Sequence, residues 1–193
     1  MIDLSKKDLP NAIVLDGKSF YIKTDFRYWI DYNYKLQNCK ITLEDLFNLF
    51  ESDINLLDIV LFNEEINRQF MDFLTNKNVT PNMSAYSNVK SDRIFDYVLD
   101  GEYIYASFMQ AYNIDLVDIE YLHWHKFKAL FLSLPENTKM KEIMKLRAYS
   151  KDSVKYETRQ LQMKEMWRLP PSEYELNEQK KLIEEINKEF YNC

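Results

Sequence analysis

Two histidines, His123 and His125, flank Trp124. A histidine pair with a nearby carboxylate is the minimum set for a protein-bound metal. On a helix, however, residues i and i+2 point about 200° apart, whereas one ion needs i and i+3 or i+4 on a shared face. The surrounding segment reads as helix, so both rings are expected to be hydrogen-bonded core or surface groups, with no metal or cofactor. Asp96 and Asp100 stand at i and i+4, a spacing that could serve acid/base catalysis if burial or a neighbour separated their pKa values. Nothing in the sequence signals that separation, and the pair is expected to be solvated surface. No G-x-S-x-G elbow is present to position a nucleophile, and Cys39, between Asn38 and Lys40, bears no mark of a low-pKa thiolate. Cys39 and Cys193 cannot build a disulfide framework or a zinc cluster, and Gly17 and Gly101 are too far apart for a phosphate-cradling loop. The expectation is a protein that is not an enzyme.

The balance of charge narrows the partners. The chain has 193 residues, 25 Lys+Arg and 31 Asp+Glu, for a formal charge of −6. A hydrophobic fraction of 46% and an aromatic fraction of 15% exclude disorder along the whole chain. Tyr103, Tyr105, Tyr112 and Tyr121, with Arg147, Lys151 and Lys155, could serve as stacking platform and phosphate contacts for single-stranded nucleic acid. The same phenols serve a helical core with polar tips at its rim. An acidic chain favours the core, and no nucleic-acid partner is expected. No apolar run is long enough to span a bilayer, and no apolar stretch follows Lys6 and Lys7 as in a signal peptide. The expectation is a cytosolic protein with reduced thiols.

The elements that must position these residues are mainly helical. Residues 12–23 place two β-prone runs around Asp16-Gly17, which predicts a hairpin lying on a helical platform. Thr24 or Asp25 can cap a helix bearing Phe26, Trp29, Ile30 and Tyr34. Thr42 and Asp45 have the spacing of a capping box, opening Leu46, Leu49 and Phe50. Leu57, Val60, Leu61, Ile66, Phe70, Phe73 and Leu74 form the apolar face of one helix or two short ones, and residues 75–91 read as a loop. A core helix over residues 91–113, ended by Asn113, is expected to run on through Gly101, with a break at Asp100-Gly101 as the alternative. Another is expected from Asp118, with Tyr121, Leu122, Trp124, Phe127, Leu130 and Phe131, and Pro135 beyond its end.

After Pro135 the composition changes. Residues 137–168 carry nine Lys+Arg and four Asp+Glu, whereas residues 169–193 carry three and six. Residues 1–136 are therefore expected to form a compact α-rich core and residues 137–193 a helical C-terminal extension. Met140, Ile143, Met144 and Arg147 make one stripe. Ser153 can cap a second helix reaching Trp167, Pro170-Pro171 ends it, and Ser172 to Glu175 is a capping box for a third. Leu176, Ile183, Ile186 and Phe190 fall on heptad a and d positions of that third helix, with Gln179 interrupting the seam. Met140, Ile143, Met144, Leu176, Ile183, Ile186 and Phe190 are thus the candidate partner-binding residues, either docking into a groove or closing back on the bundle. Self-association is a further use for them.

Three segments also carry a resemblance. Residues 9–30 (LPNAIVLDGKSFYIKTDFRYWI), 95–116 (FDYVLDGEYIYASFMQAYNIDL) and 122–135 (LHWHKFKALFLSLP) are similar, in that order, to segments of the small bacteriophage gene-product-fifteen family. The resemblance spans about residues 9–150. His125 stands where a second aromatic is expected, Asn113 stands where glycine is usual, and residues 150–193 match no motif. The resemblance implies a protein of long-tailed phages (siphophages) or prophages, encoded near the tape-measure protein. It implies a tail-assembly chaperone acting in the host cytoplasm on the tape-measure protein and tail-tube subunits, with no catalytic residues to transfer. A structural tail connector or completion protein of the virion is the alternative, and a small metal-dependent hydrolase using His123 and His125 is a third.

Overall fold

The computed structural model describes residues 2–75, 93–149 and 157–191, and side chains within that range except at 157–158 and 186–191. It opens with the expected hairpin, β1 (Ala12–Leu15) paired antiparallel with β2 (Lys18–Tyr21). The turn needs left-handed backbone at both central positions, with φ of 47° at Asp16 and 74° at Gly17. An Asp-Gly dipeptide supplies that conformation at low cost and matches the twist of the strands. Ile13 and Leu15 point into the core. Gln69 clamps the hairpin to the helical body, donating from Nε2 to the Val14 carbonyl at 2.6 Å and accepting the Val14 N–H at 2.9 Å.

Helix α1 (Phe26–Gln37) starts at Asp25, whose carboxylate accepts the N–H of Arg27. Its partner across the core is α6 (Trp124–Leu132), and the two N-termini are stitched together by backbone bonds. Phe26 donates to the Leu122 carbonyl at 2.9 Å, and Trp124 donates to the Thr24 carbonyl at 2.7 Å. Between them lies a stack of rings, Phe26 on Phe127 at 4.8 Å and Phe108 on Phe127 at 5.3 Å. Trp29, Tyr32, Phe70 and Phe73 fill the other half of the core. Helix α2 (Leu43–Asn48) begins with the expected capping box of Thr42 and Asp45.

The stretch 56–74 forms two helices, α3 (Leu56–Leu61) and α4 (Asn63–Thr75). On α4 the predicted Ile66, Phe70, Phe73 and Leu74 are buried, but Leu57, Val60 and Leu61 on α3 are exposed. The helix is interrupted at Phe62, the C-cap of α3. Only Ile59 of α3 reaches the core.

Two helix starts differ from the periodicity. Helix α5 begins at Gly101 and runs to Tyr112, so the chain breaks at Asp100-Gly101 instead of continuing as helix from residue 91. Asp96 holds a turn there, accepting the N–H groups of Val98 and Leu99 at 2.8 and 2.9 Å. Asn113 ends α5 in the left-handed conformation with φ of 52°, as expected for a residue standing in for glycine. The following helix begins at Trp124, not Asp118. Asp115 accepts the N–H groups of Val117 and Asp118, and Arg27 takes the carbonyls of Leu116 and Ile119 that a helix would need. Thr75, where the predicted loop 75–91 starts, is the last residue of α4, and residues 76–91 and the cap at Ser153 lie outside the described residues.

The C-terminal part forms α7 (Lys139–Ala148), α8 (Glu157–Met166) and α9 (Glu173–Tyr191). The molecule is thus mainly α, a helical bundle with a short N-terminal hairpin and a helical C-terminal extension. No helix among the described residues is long and apolar enough to cross a membrane.

Candidate functional site

Helix α7 is anchored before α9 is presented. Its stripe packs on α5, where Met140 donates its N–H to the Ser107 hydroxyl at 3.2 Å. Met140 and Ile143 are fully buried and Met144 is half-buried. Met140 and Ile143 are therefore packed inside the chain itself, and the expectation that they face a partner does not hold in this fold. A Met/Ile stripe has the same spacing whether it meets another protein or its own core, and here α5 covers it.

One turn further along α7, Arg147 turns inward. Its guanidinium donates to both carboxylate oxygens of Asp100, at 2.6 and 2.9 Å, and both side chains are almost wholly buried. It also donates to the carbonyls of Trp167 at 2.6 Å and Ile94 at 3.2 Å. Arg93 repeats the pattern, paired with Asp96 and donating to the Pro170 carbonyl at 2.6 Å. Asp96 and Asp100 are thus not solvated surface: Arg147, 47 positions from Asp100, and Arg93, three positions from Asp96, draw them into the interior. Buried charges need such partners, because desolvation would otherwise penalise them heavily. Trp167 and Pro170 belong to the α8–α9 elbow, so the two ion pairs fix where α9 departs from the body.

Beside this elbow is a cavity of about 360 Å³ lined by Arg93, Arg147, Lys164, Arg168, Tyr174 and Glu175, among others. Helix α9 then begins with the predicted capping box. Ser172 donates its N–H to Glu175 at 2.7 Å and accepts the Glu175 N–H at 3.2 Å. Its contacts with the body lie along α1 and its end, where Lys40 pairs with Glu173 at 3.8 Å, and at Arg93, which pairs with Glu175 at 3.7 Å. Leu176 and Ile183 are exposed. The side chains of Ile186 and Phe190 lie outside the described set. Leu182 and Tyr174 are also exposed and widen the apolar surface. Heptad reasoning missed them because it follows only a and d positions, although both lie on the same helix.

The histidines cap structure. His123 accepts the His125 N–H at Nδ1 and donates from Nε2 to the Pro10 carbonyl at 3.0 Å. His125 donates from Nε2 to the Phe73 carbonyl, with its ring 4.4 Å from that of Phe73. Burial holds both imidazoles below their ordinary pKa, His125 at about 4. Trp124 and Lys128 donate to the Leu74 carbonyl, and burial draws Lys128 down to about 8. Among the described residues no group of three or more His, Cys, Asp or Glu is placed to hold a metal. The four tyrosines are each engaged within the fold: Tyr112 donates to the Leu130 carbonyl, Tyr105 donates to Asp115, Tyr121 pairs with Thr24, and Tyr103 packs on Trp167, whereas Lys151 and Lys155 lie outside the described residues.

No significant match to a curated protein or to a solved structure is found. The sequence profile described as bacteriophage Gp15 protein does match, over residues 6–169. That span takes in the hairpin, the helical body, the two buried arginine–aspartate pairs and the chain as far as the elbow, so the protein belongs to the bacteriophage Gp15 family.

Proposed function

We propose that the protein is a non-enzymatic tail-assembly factor of a long-tailed phage or prophage, a chaperone that binds the tape-measure protein, tail-tube subunits or both in the host cytoplasm. The observation that carries this reading is the contrast between α7 and α9. The first is locked into the core, whereas α9 leaves an anchored elbow with Leu176, Leu182 and Ile183 exposed. A tape measure is a long helical rod whose apolar seams would aggregate if bare, and an amphipathic helix offered by an acidic body is suited to cover them reversibly. Co-expression with the tape-measure and tube proteins of the same phage, followed by pull-down, tests the reading. Retention of either partner is the expected result. Retention of neither, together with normal tails from a deletion phage, rejects it. Mass spectrometry of purified virions separates a chaperone, absent from the particle, from a connector that stays in it.

A further inference from the structure

A second apolar surface lies on α2 and α3, apart from α9. Leu56, Leu57, Val60 and Leu61 are exposed by 60%, 64%, 52% and 66%. At i, i+1, i+4 and i+5 they share one side of α3, with Ile59 buried on the other. The adjoining α2 adds Leu43 and Phe47, exposed and one turn apart. Such a concentration of large apolar side chains on a short helix is unfavourable in water and marks an interaction surface.

The charge around this surface has one sign. From Ile41 to Asn67 the chain holds seven Asp and Glu and no Lys or Arg. Lys35 pairs with Asp45 and Arg68 pairs with Glu65. Glu44, Glu51, Asp53, Asp58 and Glu64 have no ion pair among the described residues. These carboxylates lie on α2, α3, the start of α4 and the connection between them, flanking the exposed leucines. A second copy docked through the same face would bring like charges together, and an anionic membrane would be repelled in the same way. A helix with an apolar stripe bordered by Lys and Arg meets neither obstacle.

We propose that the α2–α3 face docks a cationic amphipathic helix contributed by a partner protein, its apolar stripe covering Leu57, Val60 and Leu61 and its basic flanks meeting the carboxylates. The proposal requires no particular phage partner and does not depend on α9. A tape-measure pull-down can therefore fail while this site stands, and the reverse.

The test uses the full chain with two fluorescent helical peptides of identical leucine pattern, one with lysine and one with glutamate at every polar position. The Leu/Lys peptide is expected to bind, with affinity falling as salt screens the flanking charges. The Leu/Glu peptide is not. Leu57→Ser with Leu61→Ser, both at exposed positions and checked for native circular dichroism, weakens Leu/Lys binding by about tenfold or more. Glu51→Gln, Asp53→Asn and Glu64→Gln together weaken it and flatten its salt dependence. Equal binding of both peptides, or wild-type affinity in the serine variant, overturns the proposal. So does a concentration-dependent dimer that the serine substitutions abolish, which would make a second copy the occupant. Capture of phosphatidylcholine vesicles through the same leucines would assign the face to a lipid surface and likewise overturn it.

Discussion

At the scale of single residues, His125 and Arg147 illustrate two ways of keeping a polar group inside. His125 is held neutral beneath Phe73, and its Nε2–H closes one of the carbonyls that α4 leaves open at its C-terminus. Because burial lowers its pKa from 6.5 to about 4, the unfolded chain takes up a proton in that interval that the folded chain refuses. Stability is therefore full above pH 6.5 and falls as pH drops toward 4, by on the order of 3 kcal/mol if His125 acts alone. His123 adds a contribution of the same sign. Urea unfolding at a series of pH values checks this, and His125→Gln, which keeps a donor near Nε2 but cannot titrate, should flatten the slope. Arg147 solves the problem by pairing. Arg147→Met leaves Asp100 buried without its partner and is expected to cost about 3–5 kcal/mol, whereas adding Asp100→Leu to it should restore much of the loss. Thermal unfolding of the two variants measures that coupling. Neither environment could be read from the sequence. A histidine, an arginine or an aspartate has the same letter whether wet or dry, and the groups that settle the matter lie 47 positions away for Arg147 and Asp100 and 52 for His125 and Phe73.

Elements were legible where their boundary signals are local. Asp16-Gly17, the Thr42–Asp45 box, Asn113 and the Ser172–Glu175 box each act within four residues, and each appears where the sequence placed it. The start of α6 was not legible. Its cap is His123, an imidazole used as an acceptor, and that role requires the Pro10 carbonyl to fix the proton on the opposite nitrogen. The start of α5 departs from the periodicity because helical spacing continues through 96–100 while side-chain bonds from Asp96 hold those residues in a turn. This bears on Gly101. A Cβ built there meets nothing within 4 Å, and its φ is not left-handed. No close approach requires glycine, so Gly101→Ala should stabilise the protein by about 0.4–1 kcal/mol by restricting the unfolded chain. A small rise in melting temperature with unchanged circular dichroism is the expected readout. A loss would mean that backbone freedom at the 100–101 junction is needed for α5 to form.

At the scale of the whole molecule, the two ends of the C-terminal extension meet the body differently. Helix α7 belongs to the body by packing, even though the change of charge after Pro135 sets it apart in sequence. Helix α9 is joined to the body through the elbow that Arg93 and Arg147 hold, and its own contacts run along α1 and its end and to Arg93 through Glu175. A substitution on its exposed face should therefore change binding without changing folding. Replacing Leu182 and Ile183 by Ser removes apolar surface that the free protein leaves in water, so its thermal stability should shift by no more than about 0.5 kcal/mol per site. If these side chains sit at the centre of a partner interface, the same pair should weaken capture of the tape-measure or tube protein by about tenfold or more, since losses at buried interface positions commonly exceed 1 kcal/mol each. Arg147→Met should weaken capture by a different route, because it frees the elbow and lets α9 lose its orientation while leaving the apolar face intact. Comparing both variants in one pull-down series separates the surface from its mounting. Equal capture by the wild type and the Leu182→Ser, Ile183→Ser variant would remove α9 from the binding surface.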